Sequence, residues 1–388
     1  MSNQNSNQNL THTYVNVVST NQPAWGGYTY IDFNTSGYCI HDVTLQFNLS
    51  AITGITASSA LMQPSSCSAF KFFTNVTATN NNNVIDSIDS QANYLLSQMY
   101  TSYEDVQFLN VASGSPMSQL SRYNMGQTNT TYQVNLKSLF PQIKIECLNG
   151  NSFIRIAILL DTLNNLISQG TLVGTPLVTI NSVSALFKVT KYSNELVQQK
   201  LFQLSKNPLM KTFNSVSYQP FVIQANSSTA TISLSNFVGL NVQYIFFVVR
   251  PSSAITKNDG LVFSQTSFSQ TSLVFASYNV LSATGKSVCG GLITSAQALY
   301  IYGKSMTLGN IMTDPIYGNV YTIFHTSDPV STMVNMGGVY GYRQYSGSET
   351  LQLNLITTTA VALNVDIYAS CTSIYKQTQN ASIIKLIV

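Results

Sequence analysis

The stretch Val183-Ser-Ala-Leu-Phe-Lys-Val-Thr190, near the middle of the 388-residue chain, places an apolar side chain at every second position. Ser184, Lys188 and Thr190 lie between the apolar residues, and Leu186 is the one exception to the alternation. This period of two predicts an extended strand with one face against a hydrophobic core.

A helix is predicted directly after this strand, over Asn194 to Leu204. Its apolar residues recur at helical spacing, with Ser193 placed to cap the first turn. Asn207-Pro208 ends the helix, because a residue before proline disfavours helical backbone. The apolar positions are Leu196, Val197, Leu201 and Leu204. The chain therefore closes one unit with a strand, crosses over in a short helix and begins a second unit near Lys211.

The end of the chain repeats the strand pattern in the same phase, so that Val183 corresponds to Val365 and Val189 to Cys371. Its apolar residues are Leu363, Val365, Ile367, Ala369 and Cys371. The repeat favours two similar β-rich domains in tandem. The alternative is that any two amphipathic strands look alike.

Other strands are predicted along both halves. Asp42–Ser50 has the clearest alternation, with Asn80–Asn83 as a turn further on. Phe153–Leu160 and Val242–Val249 are apolar on both faces, which predicts central strands covered on both sides. Phe213–Gln224 contains Pro220, which predicts an edge strand or a bulge.

Helices and long loops complete the prediction. A helix capped by Ser90 carries Ala92, Leu95, Leu96, Met99 and Tyr103 on one face, and a second helix is predicted from Ser295 through Met306. The stretches 105–128 and 251–270 are predicted loops.

The predicted fold is all-β, with two tandem eight-stranded jelly rolls and short helices in loops and at the junction. The predicted division is an N-terminal arm over 1–24, a first jelly roll over 25–192, a linking helix over 193–210 and a second jelly roll over 211–388. The polar stretch 1–10 is either a floppy terminus or an arm that becomes ordered against a neighbour.

The composition restricts the classes of function that fit this chain. Only 8% of residues are charged, against about 25% in an average protein, and a surface with few charges suits packing against identical neighbours. The net charge is +3 and no basic run occurs, so no specific nucleic-acid binding is expected. No membrane helix and no signal peptide are predicted.

The residues that could take part in catalysis or metal binding are scattered along the sequence. Five cysteines without a C-x-x-C pair predict small buried thiols in a reducing compartment. We predict no catalytic residue, no cofactor site and no metal site. His41 and Asp42 should point to opposite faces of a strand, and His325 is interpreted as either a loop histidine or a satisfied core histidine. Gly285-Lys and Gly303-Lys lack the earlier glycine of a phosphate loop.

Three segments carry a resemblance to a known family. They are Tyr28-Thr-Tyr-Ile-Asp-Phe33, Ile40-His-Asp-Val-Thr-Leu-Gln-Phe-Asn-Leu49 and the junction Phe187-Lys-Val-Thr-Lys-Tyr192 with its helix. With two predicted jelly rolls and a polar arm, the chain resembles the double jelly-roll major capsid proteins of tailless icosahedral DNA viruses. These include the tectivirus-like phages, the polinton-like viruses and the virophages.

The resemblance implies a structural protein of the virion rather than an enzyme. It implies a homotrimer in which six jelly rolls form a pseudo-hexagonal capsomer, assembled inside the host cell. It also implies contacts with neighbouring capsomers and with minor capsid or penton proteins, and an inward arm that meets neighbouring blocks or an internal membrane. The alternative is a β-sandwich binding protein, either a viral receptor-binding spike or a lectin-like adhesin.

Overall fold

The computed structural model describes residues 11–55, 63–64, 68–100, 108, 111–114, 124–136, 144–150, 153–163, 167–168, 174–252, 275–281, 320–325, 341–345, 347–355, 362–378 and 382–386. Two α-helices of the described residues are α1, Ser90–Tyr100, and α2, Asn194–Lys206. Short 3-10 turns lie at Ser68–Lys71 and Ser235–Phe237. None of these described helices has the length and apolar character needed to cross a membrane.

The strands divide at α2. Before it lie β1 Thr11–Val18, β2 Tyr28–Phe33, β3 Tyr38–Leu49, β4 Thr53–Ile55, β5 Gln63–Pro64, β6 Phe73–Asn80, β7 Asn83–Asp89, β8 Thr130–Asn135, β9 Ile145–Cys147, β10 Ile154–Leu160, β11 Ile167–Ser168, β12 Gly174–Leu177 and β13 Ile180–Lys191. After it lie β14 Leu209–Ile223, β15 Thr229–Ser233, β16 Asn241–Pro251, β17 Phe275–Leu281, β18 Val320–Phe324, β19 Arg343–Gln344, β20 Thr350–Leu355, β21 Leu363–Gln377 and β22 Ile383–Leu386.

The first half of the chain forms a sandwich of two antiparallel sheets. One sheet has the order β1-β13-β3-β8, and the facing sheet has the order β2-β10-β6-β7. β13 is the last strand before α2, and it lies between β1 and β3. This sheet is therefore complete only when the whole first half of the chain has folded. This exchange of strands between two facing sheets is the jelly-roll topology.

The second half repeats this order. Its sheets are β14-β21-β16-β18 and β15-β20-β17, so β21 is inserted between β14 and β16 as β13 is inserted between β1 and β3. The prediction of two tandem jelly rolls is confirmed, and the duplicated strand pattern that suggested it lies at the same topological place in each unit. We call the two units the first and second sandwich.

The alternating stretch from Val183 to Thr190 forms the middle of β13. Val183, Ala185, Phe187 and Val189 are fully buried, as the alternation predicts. The helix that follows is also confirmed, since the Ser193 hydroxyl accepts a hydrogen bond from the Leu196 amide at 3.3 Å. The equivalent apolar residues of β21, from Leu363 to Cys371, are buried in the core of the second sandwich.

Most other predicted strands are found. β3 buries Val43, Leu45, Phe47 and Leu49, and β14 is an edge strand that continues through Pro220, where it pairs with Asp366. Asn81 and Asn82 have positive φ values of 48° and 68° in the turn between β6 and β7, a conformation that asparagine tolerates.

Three predictions need correction. The arm predicted over 1–24 is wrong over Thr11–Val18, because these residues form β1 and pair with β13. Ser90 is not the cap of α1; the Asp89 carboxylate accepts the Ala92 amide at 2.7 Å instead. β10 is central between β2 and β6, but only one face is buried, with Arg155, Ala157 and Leu159 half-buried on the other.

Some predictions fall outside the described residues. These are the polar stretch 1–10, the helix predicted from Ser295, Cys67, Cys289, Gly285-Lys, Gly303-Lys and most of the predicted loops over 105–128 and 251–270.

Candidate functional site: the contact surfaces of the two sandwiches

The outer face of the second sandwich's sheet β14-β21-β16-β18 is buried against the first sandwich. Tyr244, Phe246, Val248 and Tyr368 on this face belong to the same hydrophobic cluster as the core of the first sandwich. Their neighbours along β16, among them Ile245 and Phe247, belong to the second sandwich's own core. β16 is therefore covered on both faces over Val242–Val248, which confirms the prediction of a doubly covered strand over this part of Val242–Val249. We call this contact between the sandwiches the seam.

An aromatic row forms the centre of the seam. The Tyr368 ring stacks on Phe246 on one side and on Tyr218 on the other, each with ring centroids 5.0 Å apart. All three residues are at paired positions on neighbouring strands. Such aromatic pairs add about 0.5–1.5 kcal/mol beyond their burial, so the row joins β14, β21 and β16 into one rigid contact face.

Polar groups at the edge of this row connect it to α1. Asp366 accepts a hydrogen bond from the Tyr218 hydroxyl at 2.8 Å and from Gln91 Nε2 at 3.2 Å. The Tyr368 hydroxyl lies 3.4 Å from Asp89, the cap of α1. Burial, with a smaller contribution from the charge of Asp366, raises the pKa of Asp89 to about 6. The seam therefore holds a carboxyl group that titrates near neutral pH.

The C-terminal strand β22 extends the seam over the first sandwich. The buried Asn80 side chain accepts the Ile383 amide at 2.9 Å and donates to the Phe153 carbonyl at 2.9 Å. Lys385 pairs with Asp86 at 3.1 Å, and burial raises the pKa of Asp86 although Lys385 opposes that shift. The end of the chain is thus joined to the β6–β7 turn of the first sandwich.

A third polar contact centres on Glu146 in β9. Its carboxylate accepts the Tyr192 hydroxyl at 3.0 Å and pairs with Lys200 of α2 at 2.6 Å. Its carbonyl accepts Gln377 Nε2 from β21 at 2.8 Å. Glu146 therefore joins the first sandwich to the linking helix and to the last long strand of the second sandwich.

The equivalent outer face of the first sandwich, on β1-β13-β3-β8, is open. When Val183 is matched to Val365, Leu186 takes the place of Tyr368, and its strand partners Asn16 and Thr44 take the places of Tyr218 and Phe246. This row is half-buried or exposed, and the neighbouring β1 residues Tyr14 and Val18 are 63% and 56% exposed. We call this surface, over β1-β13-β3-β8, the open face.

A histidine pair lies at one end of the open face. His12 Nδ1 and His41 Nε2 lie 2.9 and 2.7 Å from the Thr190 hydroxyl, and burial followed by the nearby His12 lowers the pKa of His41. The prediction that His41 and Asp42 point to opposite faces is wrong. The pairing skips one residue between Ile40 and Asp42, and this bulge brings His41 to Thr190 while Asp42 binds Asn135.

No metal-binding cluster occurs among the residues in the ranges above. Within those ranges, no group of three or more metal-ligating side chains converges. The half-buried His325 ring bonds to the Tyr345 hydroxyl, as expected for a satisfied histidine. Cys39, Cys147 and Cys371 are free and buried, and burial raises the pKa of each thiol.

Sequence reasoning missed the seam as a site, although it left one signal. The doubly apolar run Val242–Val249 requires a second covering surface that a lone sandwich does not offer. The aromatic members of the row, Tyr218 and Tyr368, lie at the outward positions of their strands, where a solvent-facing sheet would carry polar side chains.

Comparisons with known proteins agree with this architecture. Neither a family model nor a curated protein sequence matches the chain. The major capsid protein of Faustovirus superposes with a TM-score of 0.68 at 9% identity, covering 94% of this chain and 90% of that chain. The cryo-EM structure of the Sputnik virophage gives 0.60 at 13% identity, covering 97% and 88%. The mavirus major capsid protein gives 0.56 at 9% identity, covering 97% and 90%. At these identities the likeness shows the double jelly-roll fold.

Proposed function

We propose that this chain is the major capsid protein of an icosahedral virus and that it forms homotrimeric, pseudo-hexameric capsomers. The observation that carries the proposal is the side-by-side packing of two jelly rolls through one sheet face, while the equivalent face of the first sandwich stays open. A unit that buries one such face and presents the other can repeat head to tail. Heterologous contacts of this kind close into rings when the rotation allows.

Solved structures of the same fold support this assignment. The likeness extends over nearly the whole chain and includes shell proteins of a giant virus and of virophages. The low charge, 8% of residues, suits broad contacts between identical copies because little repulsion opposes them. We propose a structural role without catalysis, in the virion shell of a DNA virus.

The first test is the mass and shape of the purified protein. We expect a trimer whose interfaces bury more than about 2,000 Å² in total, with a hexagonal outline and threefold symmetry in electron micrographs. A protein that stays monomeric at micromolar concentration would refute the proposal. A glycan array tests the alternative of a receptor-binding spike or adhesin, for which we expect no specific binding.

The organisation of the chain is part of the proposal. We propose two jelly rolls joined by a linking helix over 193–210, with the first beginning at Thr11 because β1 is one of its strands. The remaining arm, residues 1–10, is proposed to face inward toward neighbouring capsomers or an internal membrane. Minor capsid or penton proteins are the other proposed partners. We propose no specific binding to nucleic acid.

Deletion of residues 1–10 tests the arm separately. We expect an intact trimer and a lower yield of closed shells, because β1, which begins at Thr11, keeps its pairing with β13 in the deletion variant. Unchanged shell yield would remove the arm from the proposal without affecting the trimer.

A further inference from the structure

We infer that the end of the molecule where α2 lies is a docking surface for a lipid bilayer that carries anionic headgroups. The strand termini Thr11 and Lys191 are paired at this end, as are Leu209 and Gln377, and α2 connects β13 to β14 across it. We call this surface the basic end. The inference rests on the proposed function and adds a contact made by the double sandwich itself, separate from the arm over 1–10.

The first argument is the distribution of charge among the described residues. Seven lysines and three carboxylates lie at the basic end, whereas the rest of the described chain carries five basic and six acidic side chains. A chain with a net charge of only +3 therefore has one positive end. The lysines are Lys144, Lys188, Lys191, Lys200, Lys206, Lys211 and Lys376, and the carboxylates are Asp42, Glu146 and Glu195.

The second argument is that the fold neutralises little of this positive charge. Of the seven lysines, Lys200 is the one that forms an ion pair with another described residue, Glu146. Burial lowers the pKa of His41, and the charged groups that add to this shift are all basic, namely His12, Lys144, Lys188 and Lys211. The potential at the basic end is therefore positive, and it attracts an anionic surface.

The third argument is the exposure of apolar side chains at the same end. Phe202 of α2 is 60% exposed, and Met210 at the start of β14 is 50% exposed. The Lys206 ammonium lies 4.3 Å from the centroid of the Phe202 ring, so the helix presents a cation and an aromatic ring together. This combination suits the boundary between headgroups and acyl chains. Duplex nucleic acid would engage the lysines through its phosphates and leave Phe202 unused.

The proposed trimer strengthens such a contact. A ring with threefold symmetry presents the same end of every copy on the same side, so three basic ends face one bilayer. Linked sites that bind together hold a surface much more tightly than one site alone.

Cosedimentation of the full-length protein with vesicles tests the inference without a substitution. The probes are vesicles of phosphatidylcholine mixed with phosphatidylserine, and vesicles of phosphatidylcholine alone. We expect binding to the anionic vesicles that weakens as salt rises, because salt screens exposed charges, and no binding to the neutral vesicles. Binding to the anionic vesicles should persist in the variant that lacks residues 1–10.

Two variants of α2 form a matched pair of opposite sign. A lysine near an anionic bilayer contributes about 1 kcal/mol, which is about fivefold in affinity. Lys206→Gln should therefore raise the apparent dissociation constant for the anionic vesicles at least about fivefold. Glu195→Gln removes a negative charge from an exposed position of the same helix, and it should lower that constant.

A second pair of variants tests the aromatic contact. Phe202→Ala should weaken binding several-fold, because it removes the ring that enters the headgroup layer. Tyr28→Ala should leave binding unchanged. Tyr28 is similarly exposed, at 54%, but its carbonyl accepts Asn21 Nδ2 beyond the end of β1 that is remote from α2.

Sedimentation velocity and thermal unfolding confirm that each variant is folded and trimeric. A trimer that does not bind the anionic vesicles, or binds both kinds of vesicle equally, overturns the inference while the proposed function stands. A monomer overturns the proposed function whatever its binding to vesicles. The inference is also overturned if Lys206→Gln has no effect, if Tyr28→Ala weakens binding as much as Phe202→Ala, or if deletion of residues 1–10 abolishes binding. Binding to duplex DNA without binding to vesicles would show that the basic end serves nucleic acid instead.

Discussion

Truncation of Phe246 tests whether the two sandwiches act as one body. Phe246 is fully buried in the seam, and its ring lies 5.0 Å from Tyr368 with an interplanar angle of 17°. Truncating a buried phenylalanine to alanine costs about 3–5 kcal/mol, and the lost stack adds about 0.5–1.5 kcal/mol. We therefore expect Phe246→Ala to reduce the free energy of unfolding by an amount near the upper end of the first range.

The matched control is Phe247→Ala, the next residue on the same strand. Phe247 is also fully buried, but it belongs to the core of the second sandwich. The two variants should lose similar total stability in urea unfolding, and they should differ in where protection from amide hydrogen exchange is lost. Phe246→Ala should speed exchange in β7 and α1 of the first sandwich, whereas Phe247→Ala should speed it in β15 and β20.

The reasoning is refuted if Phe246→Ala leaves exchange in β7 and α1 unchanged. It is also refuted if Phe247→Ala speeds exchange there to the same extent, because the seam would then not separate the effects of the two neighbouring side chains.

Three further predictions follow from single groups. Because burial raises the pKa of Asp89 to about 6, this group stabilises the fold below about pH 4, its ordinary pKa range, and the contribution is lost as pH rises through 6. Asp89→Asn, which keeps a capping oxygen, should therefore be more stable relative to wild type at pH 7.5 than at pH 4 in urea unfolding; a constant difference would contradict this. Ser193→Ala should cost about 0.5–2 kcal/mol in unfolding free energy, because it removes the cap of α2, and an unchanged melting temperature would contradict it. The thiols of Cys39, Cys147 and Cys371 should resist alkylation in the folded protein, because burial raises the pKa of each, that of Cys371 to about 12; mass spectrometry showing their rapid alkylation at neutral pH would refute this.

Local patterns were enough to predict strands with a clear alternation of apolar and polar residues, such as β13 and β3. The alternation from Val183 to Val189 depends only on neighbours along the chain and on one buried face, so a strand with that pattern can be recognised without knowledge of its partners. The helix after Ser193 is recognisable for the same reason, since its cap and its proline stop are local.

Other features depend on groups that are distant in the sequence. The bulge at His41 adds one residue to β3 against β13, and a single extra residue changes which face every following side chain occupies. Thr11–Val18 is rich in β-branched residues and has the composition of a strand, but its pairing with β13 depends on a partner that is distant in the sequence.

The seam explains why the equivalent outer faces of the two sandwiches carry different side chains. If both outer faces carried the aromatic row, with aromatic residues in place of Asn16, Leu186 and Thr44, a free chain would expose this row beside Tyr14 as one large apolar patch. Such patches favour uncontrolled association. The structure instead buries Phe246 and Tyr368 of the aromatic row within the chain, and it leaves the row of Asn16, Leu186 and Thr44 on the first sandwich uncovered. The expected order of disassembly follows from this division: mild denaturant should first separate folded double sandwiches and only then open the seam. A single transition in which mass and secondary structure are lost together would show that the two contacts do not differ in strength.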